Sequence, residues 1–185
     1  MGIISRCLVL DRADRYLGNA APQIRFRNDF QVFCLAALEK PGHIHPLFLD
    51  WFQRNKLLSM RGHTLETLSK NSGASPSSGT NLMATPDLKD RVEGFLGRFR
   101  DTTLRIARRL MVTNDGHIGI APCRARKGDI VCVLLGCSIP LVLRPRGDKK
   151  TYEFIGECYL HEFMNGEAVG EVESGKRMMK SIRPA

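Results

Sequence analysis

Apolar residues in the first third of the chain recur every three or four positions, which is the spacing of amphipathic helices. Pro41-Gly42 interrupts the pattern and predicts a break between two helices. We expect residues 1–70 to form a helical region whose aromatic stripes build a core or, alternatively, a groove for a partner. The two stripes consist of Phe30, Phe33, Cys34 and Ala37, and of Leu47, Phe48, Trp51 and Phe52.

A polar segment separates this region from a third predicted helix. Residues 71–84 form a flexible linker, since the run from Lys70 to Thr80 is short of apolar residues and rich in Ser and Gly. Thr85-Pro86-Asp87 then supplies an N-cap hydroxyl, a first-turn proline and an early carboxylate, which predict a helix over 85–105. Its arginines could grip phosphates or form the solvated face. The apolar positions are Leu88, Val92, Phe95, Leu96 and Phe99, and the arginines are Arg91, Arg98, Arg100 and Arg105.

From Ile106 onward, short apolar runs alternate with turn residues, which predicts an antiparallel β-module over 106–170. Asn114-Asp115-Gly116 indicates a hairpin, because Asp and Gly tolerate positive φ. The third strand is apolar throughout and is expected to be covered on both faces. An α+β fold follows, with the helical part packed on a five-stranded, barrel-like module. The predicted strands are 110–113, 117–121, 130–135, 139–144 and 152–160.

Positive charge widens the range of possible partners. The formal net charge is +9, which suits nucleic acid, an anionic membrane surface or an acidic partner. Residues 171–185 form a basic tail that is expected to be mobile. Within the β-module, basic side chains concentrate in and beside two loops and are the candidate contacts for a protein or an anion. They are Arg124, Arg126, Lys127, Arg144, Arg146, Lys149 and Lys150.

The sequence contains no complete catalytic, cofactor or metal motif, so we expect no enzyme activity and no cofactor. Phosphate-binding loops of the GxGxxG and GxxxxGK[ST] types do not occur. Cys158 and His161 could join another cysteine in a zinc site, but residues three apart in a strand point to opposite faces. A Cys–His dyad assembled by folding, as in an unrecognised hydrolase, stays an alternative.

The cysteines and the hydropathy indicate an intracellular, cytoplasmic protein. None of the six cysteines forms a CxxC pair, which argues against a disulfide framework and favours reduced thiols. The apolar stretch at the N-terminus is too short for a signal peptide, and no run is long enough to cross a membrane.

An ordered series of short motifs resembles the C-terminal region of fungal heterokaryon-incompatibility (HET-domain) proteins, over about a third of the chain. Its most distinctive parts are a Gly-Asp turn, a Pro-x-Val-Leu-Arg strand and a last strand centred on tyrosine. The Tyr-x-Ala-Leu-Ser-Tyr-x-Trp-Gly-like motif of the HET domain itself does not occur, and no glycine follows the single tryptophan, Trp51. The series comprises Arg109–Thr113, Gly116–Pro122, Gly128–Gly136, Pro140–Arg144, Tyr152–His161 and Met164–Ala168.

The resemblance implies a scaffold rather than an active site. It departs from the family at Glu162, where the family usually has glycine. We expect a noncatalytic accessory or regulatory module of a HET-type protein that acts by binding protein; the alternative is a small barrel that binds nucleic acid or another anion. The positions with an implied structural role are Gly116, Gly128, Asp129, Pro140, Arg144, Gly156, Tyr159 and Gly166.

Overall fold

The protein contains both helices and strands, as the sequence predicts. A computed structural model describes residues 1–11, 24–73, 94–137, 139–147 and 151–185. No helix in these ranges is long and apolar enough to cross a membrane. The predicted linker and the start of the predicted third helix fall mostly outside the described residues. The helices are α1 (Gly2–Leu8), α2 (Ile24–Glu39), α3 (Pro46–Asn55), α4 (Leu65–Lys70), α5 (Phe95–Phe99) and α6 (Glu167–Glu173).

The strands of the C-terminal part lie in two sheets. The strands are β1 (Ser59–Met60), β2 (His63–Thr64), β3 (Arg109–Val112), β4 (Ile118–Ala121), β5 (Ile130–Cys132), β6 (Leu141–Pro145), β7 (Thr151–Glu157), β8 (Tyr159–Leu160) and β9 (Arg183–Pro184). One sheet has the order β3-β4-β8 and the other the order β5-β6-β7-β9, in which only the β7–β9 pair is parallel. A separate hairpin joins β1 to β2.

Local capping explains where the N-terminal helices begin and end. The predicted break is confirmed, since a short 3-10 turn, Pro41–His43, follows α2. Pro46 opens α3, where its missing N–H costs nothing, and the His45 ring nitrogen accepts a hydrogen bond from the Leu47 N–H at 3.3 Å. Thr64 caps α4 in the same way, through its hydroxyl and the Thr67 N–H.

The two aromatic stripes form a core, and the alternative of an open groove is wrong for most of their members. Phe30, Phe48 and Phe52 are fully buried, whereas Leu47 is 46% exposed. Phe99 of α5 packs its ring 5.5 Å from that of Phe48, so the helix before the β-module closes the cluster. Each fully buried Phe contributes about 1.5–3 kcal/mol of hydrophobic free energy.

Helix α1 is held by the chain segment that precedes the β-module. Its last carbonyl groups have no partner within the helix. The Thr103 hydroxyl donates to the Leu8 oxygen at 3.1 Å, and the Arg98 guanidinium donates to the Val9 oxygen at 3.2 Å. Arg98 is only 5% exposed, so the expectation of a solvated side chain is wrong for this arginine. α1 also packs on β4, where the Cys7 thiol lies 3.5 Å from the Ile118 oxygen.

The β-module follows the predicted strand order with two differences. The predicted last strand is divided into two strands: β7 pairs with β6 in one sheet, and β8 pairs with β4 in the other. It therefore passes from one sheet to the other, and the sheets do not close into a barrel within the described residues. The predicted third strand ends early, at Cys132, and the expectation of cover on both faces is wrong, since Leu135 is 79% exposed.

The C-terminal segment contains regular structure. The last turn of α6 extends into residues 171–185, and β9 pairs with the start of β7. Glu171 accepts hydrogen bonds from Lys176 and Arg177, so two of the basic side chains of this segment are paired.

Candidate binding surface

The loop between β4 and β5, residues 122–129, carries three of the predicted contact residues and is here called the cationic loop. It consists of two tight turns, closed by the Ala125 N–H on the Pro122 oxygen at 3.0 Å and by the Asp129 N–H on the Arg126 oxygen at 3.1 Å. Gly128 adopts φ 95°, a conformation that glycine takes without strain. The backbone of this loop is therefore well defined by its own hydrogen bonds.

Asp129 and Arg144 join the cationic loop to β6. The Arg144 guanidinium donates to both carboxylate oxygens of Asp129, through Nε at 2.8 Å and Nη2 at 2.9 Å. Nη2 also donates to the Arg124 carbonyl oxygen at 2.8 Å, and Asp129 accepts a further bond from the Arg126 N–H at 2.9 Å. Such bidentate ion pairs fix the relative orientation of the two side chains and are stronger than single hydrogen bonds. The Asp129 side chain is 5% exposed and that of Arg144 is 15% exposed.

The charge state of Asp129 follows from these contacts. Burial alone would raise the pKa of its carboxyl group, but the hydrogen bonds from Arg144 and from the Arg126 backbone outweigh burial and lower the pKa below its ordinary value. Asp129 is therefore ionised at neutral pH and keeps Arg144 in place. The Asp129–Arg144 pair thereby ties the backbone of the cationic loop to β6.

Two further arginines share one carboxylate. Glu153 of β7 lies opposite Arg144 in the β6–β7 register. Its oxygens lie 3.5 Å from Arg124 Nη2 and 3.2 Å from Arg146 Nη2. Both arginines stay more than half exposed, at 68% and 56%. Reasoning from the sequence missed Glu153, although the pairing of the two predicted strands could have placed it beside the arginines.

The structure thus brings five of the seven predicted contact residues onto one part of the β-module, which we call the basic face: Arg124, Arg126, Lys127, Arg144 and Arg146. Arg126 and Lys127 are exposed and form no ion pair with another described residue. Lys149 and Lys150 lie outside the described residues. Among the described residues, the basic face has five cations and two interspersed acids, Asp129 and Glu153, so it can accept carboxylate or phosphate groups.

The remaining positions with an implied structural role are turn or contact residues. Gly116 adopts φ 81° in the predicted β3–β4 turn, and Gly166 adopts φ 91° at the start of α6. Gly156 adopts φ 151°, and a Cβ there would lie 2.8 Å from Pro122 Cγ of the cationic loop.

Pro140 and Tyr159 make contacts near the end of β7. The Pro140 oxygen accepts a hydrogen bond from the Cys158 N–H at 2.9 Å. Tyr159 is buried, with its hydroxyl 3.4 Å from His161 Nδ1.

The residues considered for metal chemistry are not gathered into a metal site. Cys158 is 3% exposed, and burial raises the pKa of its thiol to about 12. Among the residues that the structure describes, no group of three or more His, Cys, Asp or Glu side chains could hold a metal ion.

Comparison with known proteins agrees with the resemblance seen in the sequence. Residues 92–177 match the family model of the Het-6 beta-barrel domain. The chain is also 38% identical over 69 residues to heterokaryon incompatibility protein 6, OR allele, of Neurospora crassa. That alignment covers 36% of this chain and 10% of the relative, so the similarity is limited to about a third of the chain and a small part of that protein. No solved structure gives a significant match.

Proposed function

We propose that the chain is a noncatalytic accessory or regulatory module of the heterokaryon-incompatibility type that acts by binding an acidic surface of a partner protein. The observation that carries this proposal is the basic face, in which exposed cations surround the buried Asp129–Arg144 pair. The similarity to the Neurospora protein supports the family context of the proposal.

The rigidity of the basic face favours binding. Association is weakened when loops and long side chains must become ordered, because this costs about 0.5–1.5 kcal/mol of binding free energy per immobilised side chain. Here the loop backbone is already ordered by the Asp129–Arg144 pair, and Glu153 holds Arg124 and Arg146 in place. Arginine is also enriched in protein interfaces, where its planar group pairs with carboxylates.

Two finer features belong to the same proposal. The passage of the last strand from one sheet to the other supports a barrel-like arrangement of the module, in keeping with the name of the matched family. All six cysteines lie in the described part of the chain and are free, which supports a reducing, cytoplasmic location.

Affinity capture with charge-reversed variants tests this function. The full chain, a variant with Arg126→Glu and Lys127→Glu, and a control with Lys40→Glu are used to capture proteins from a nuclease-treated fungal lysate, with quantification by mass spectrometry. Arg126 and Lys127 are chosen because their replacement breaks no ion pair of the described residues. A defined protein set retained by the wild type and the control, and reduced at least tenfold with the double variant, is expected. Equal retention by all three, or no specific protein at all, would overturn the proposal.

A second candidate function uses the same cations for nucleic acid. The net charge of +9 favours it, as do Arg126 and Lys127, which form no ion pair with another described residue. Because binding to nucleic acid releases counterions, the affinity for random oligonucleotides should fall steeply between low and physiological salt. Salt-insensitive, weak binding would remove this candidate.

A further inference from the structure

A cleft opens where the helical turn Arg100–Leu104, which follows α5, meets the corner at which the last strand changes sheets. The segment after α5 contributes Arg105 and Ile106 to its lining, and the corner contributes Glu157, Cys158 and Tyr159. The cleft volume is about 670 Å³. Small-molecule sites commonly measure about 300–1,000 Å³, so the cleft has the size of such a site.

The described residues that line the cleft carry a net positive charge. Arg98, Arg105 and Arg108 line it, against Asp101 and Glu157. Asp101 lies 3.5 Å from Arg100, an arginine outside the lining. Among the described residues, Arg105, Arg108 and Glu157 form no ion pair, and Arg105 is exposed to solvent. Two guanidinium groups are therefore available to an anionic ligand.

The helix end fixes the backbone at these arginines. The Arg105 N–H donates to the Arg100 oxygen at 2.8 Å, and the Arg108 N–H donates to the Thr103 oxygen at the same distance. Between them, Ala107 adopts φ 49°, the left-handed conformation that ends many helices. Because the backbone of Arg105 and Arg108 is ordered before binding, little conformational entropy is lost there when a ligand arrives.

Apolar side chains share the lining with the arginines. Ile106 is 55% exposed although it lies at the cleft. Ile139 and Met164 are half-buried and complete an apolar part of the lining. A ligand that buries only its charge would leave these side chains in water, whereas a ligand with an apolar body would cover them.

We propose that this cleft binds a small organic anion, whose acidic group pairs with Arg105 and Arg108 and whose apolar part contacts Ile106, Ile139 and Met164. Hydrogen bonds between guanidinium groups and carboxylate, sulfonate or phosphate oxygens are charge-assisted and among the stronger ones in proteins. The site is separate from the basic face, since Glu157 of the cleft lies four residues beyond Glu153 in β7, roughly 13 Å along the strand.

The probe for this site is 8-anilinonaphthalene-1-sulfonate, a small aromatic anion whose fluorescence rises when it binds. Titration of the full chain should give saturable binding. The double variant Arg105→Gln, Arg108→Gln should bind at least about tenfold more weakly, since it loses two charge-assisted contacts. The control Arg146→Gln, which changes the basic face, should bind as the wild type does. The neutral arene N-phenyl-1-naphthylamine should be insensitive to both changes.

A gain-of-affinity variant keeps the test independent of folding defects. Glu157→Gln removes the acidic group that opposes an anion in the cleft, so it should tighten sulfonate binding at least about twofold. Circular dichroism establishes that each variant is folded. Weaker binding by the double variant together with tighter binding by Glu157→Gln is the expected result. Absence of saturable binding, equal affinity of wild type and double variant, or unchanged affinity of Glu157→Gln would each overturn the proposal.

Discussion

Gly119 of β4 lies directly under the backbone of Tyr159 in β8: a Cβ at position 119 would stand 2.2 Å from the Tyr159 carbonyl oxygen. The register of the two strands consists of Gly119 with Leu160 and Ile120 with Tyr159, and the His161 N–H donates to the Ile118 oxygen at 3.0 Å beside them. The last strand can therefore reach the first sheet only because position 119 has no side chain. This contact holds together the corner that borders the cleft.

Gly119→Ala should destabilise the protein by about 1–3 kcal/mol, because backbone atoms of β8 would have to move away. Urea denaturation, followed by circular dichroism, measures the effect. Gly170→Ala is the matched control: Gly170 lies in α6, and a methyl group there would meet no described residue outside its own helix within 4 Å. Alanine is the better helix former there, and stability should stay equal or rise slightly. A Gly119→Ala variant as stable as the wild type would contradict the close approach.

Asp129→Asn should lower the free energy of unfolding by about 1–2 kcal/mol at neutral pH, since Arg144 keeps its place but loses a charged acceptor. Chemical denaturation measures the loss. Asp115→Asn serves as the control, because Asp115 is 67% exposed and lies 3.8 Å from its partner, Arg177. Such exposed pairs contribute little. Equal effects of the two substitutions would contradict a buried, structural role for Asp129.

The same pair should make stability depend on pH. The pKa of Asp129 is lowered in the folded chain, so its contribution is complete above about pH 4, the ordinary carboxyl range, and is lost as the pH falls through the lowered value. The stability difference between wild type and Asp129→Asn should therefore shrink on acidification below about pH 4. A difference that stays constant down to the acid limit would show that ionisation of Asp129 contributes nothing.

Glu162→Gly should stabilise the protein by up to about 1 kcal/mol, because Glu162 adopts φ 70° at a position where the resembled family usually has glycine. The gain is limited, since glycine also increases the entropy of the unfolded chain. Glu162→Ala is the control and should give no gain, because alanine retains the unfavourable conformation. The midpoints of thermal unfolding of the three proteins measure the change in stability. A loss of stability in the glycine variant would contradict the left-handed backbone conformation of Glu162.

The thiols should divide into two classes of reactivity. Cys7 and Cys34 are fully buried, and burial raises the pKa of both well above the ordinary value. Cys123 and Cys137 are exposed. Iodoacetamide at about pH 8 should alkylate the exposed pair within minutes and the buried pair only after denaturation, as measured by peptide mass spectrometry. Rapid alkylation of Cys34 in the folded chain would contradict its burial.

Local chemistry in the sequence was sufficient to predict several of the elements, but not the β1–β2 hairpin, α6 or β9. The Asp115-Gly116 turn, the stop at Pro41 and the buried face of the first aromatic stripe all depend on residues close together in the chain. Periodicity and turn preference describe such features well. The same reasoning overestimated the length and burial of the third strand, because it cannot show which face a neighbouring element covers.

Contacts between distant residues were beyond this reasoning. Arg98 is buried because its guanidinium donates to the Val9 carbonyl oxygen at the end of α1, 89 residues earlier, and a basic residue on an amphipathic helix gives no sign of that. The predicted last strand is divided at Cys158 because Tyr159 and Leu160 pack against Gly119 of the other sheet. No local sequence pattern contains this contact. Five residues of the basic face were predicted from the sequence. Glu153, which pairs with Arg124 and Arg146, was recognised only from the strand register and the ion pairs of the structure.

The most direct test of the proposed function is photo-crosslinking from the basic face in living fungal cells. A photoreactive phenylalanine analogue replaces Lys127, and in a second strain it replaces Lys40, an exposed lysine on the helical part. If the basic face binds a partner protein, position 127 should give a discrete crosslinked protein that position 40 does not give. Crosslinks from position 127 to nucleic acid alone, to no protein, or to the same proteins as from position 40 would contradict it.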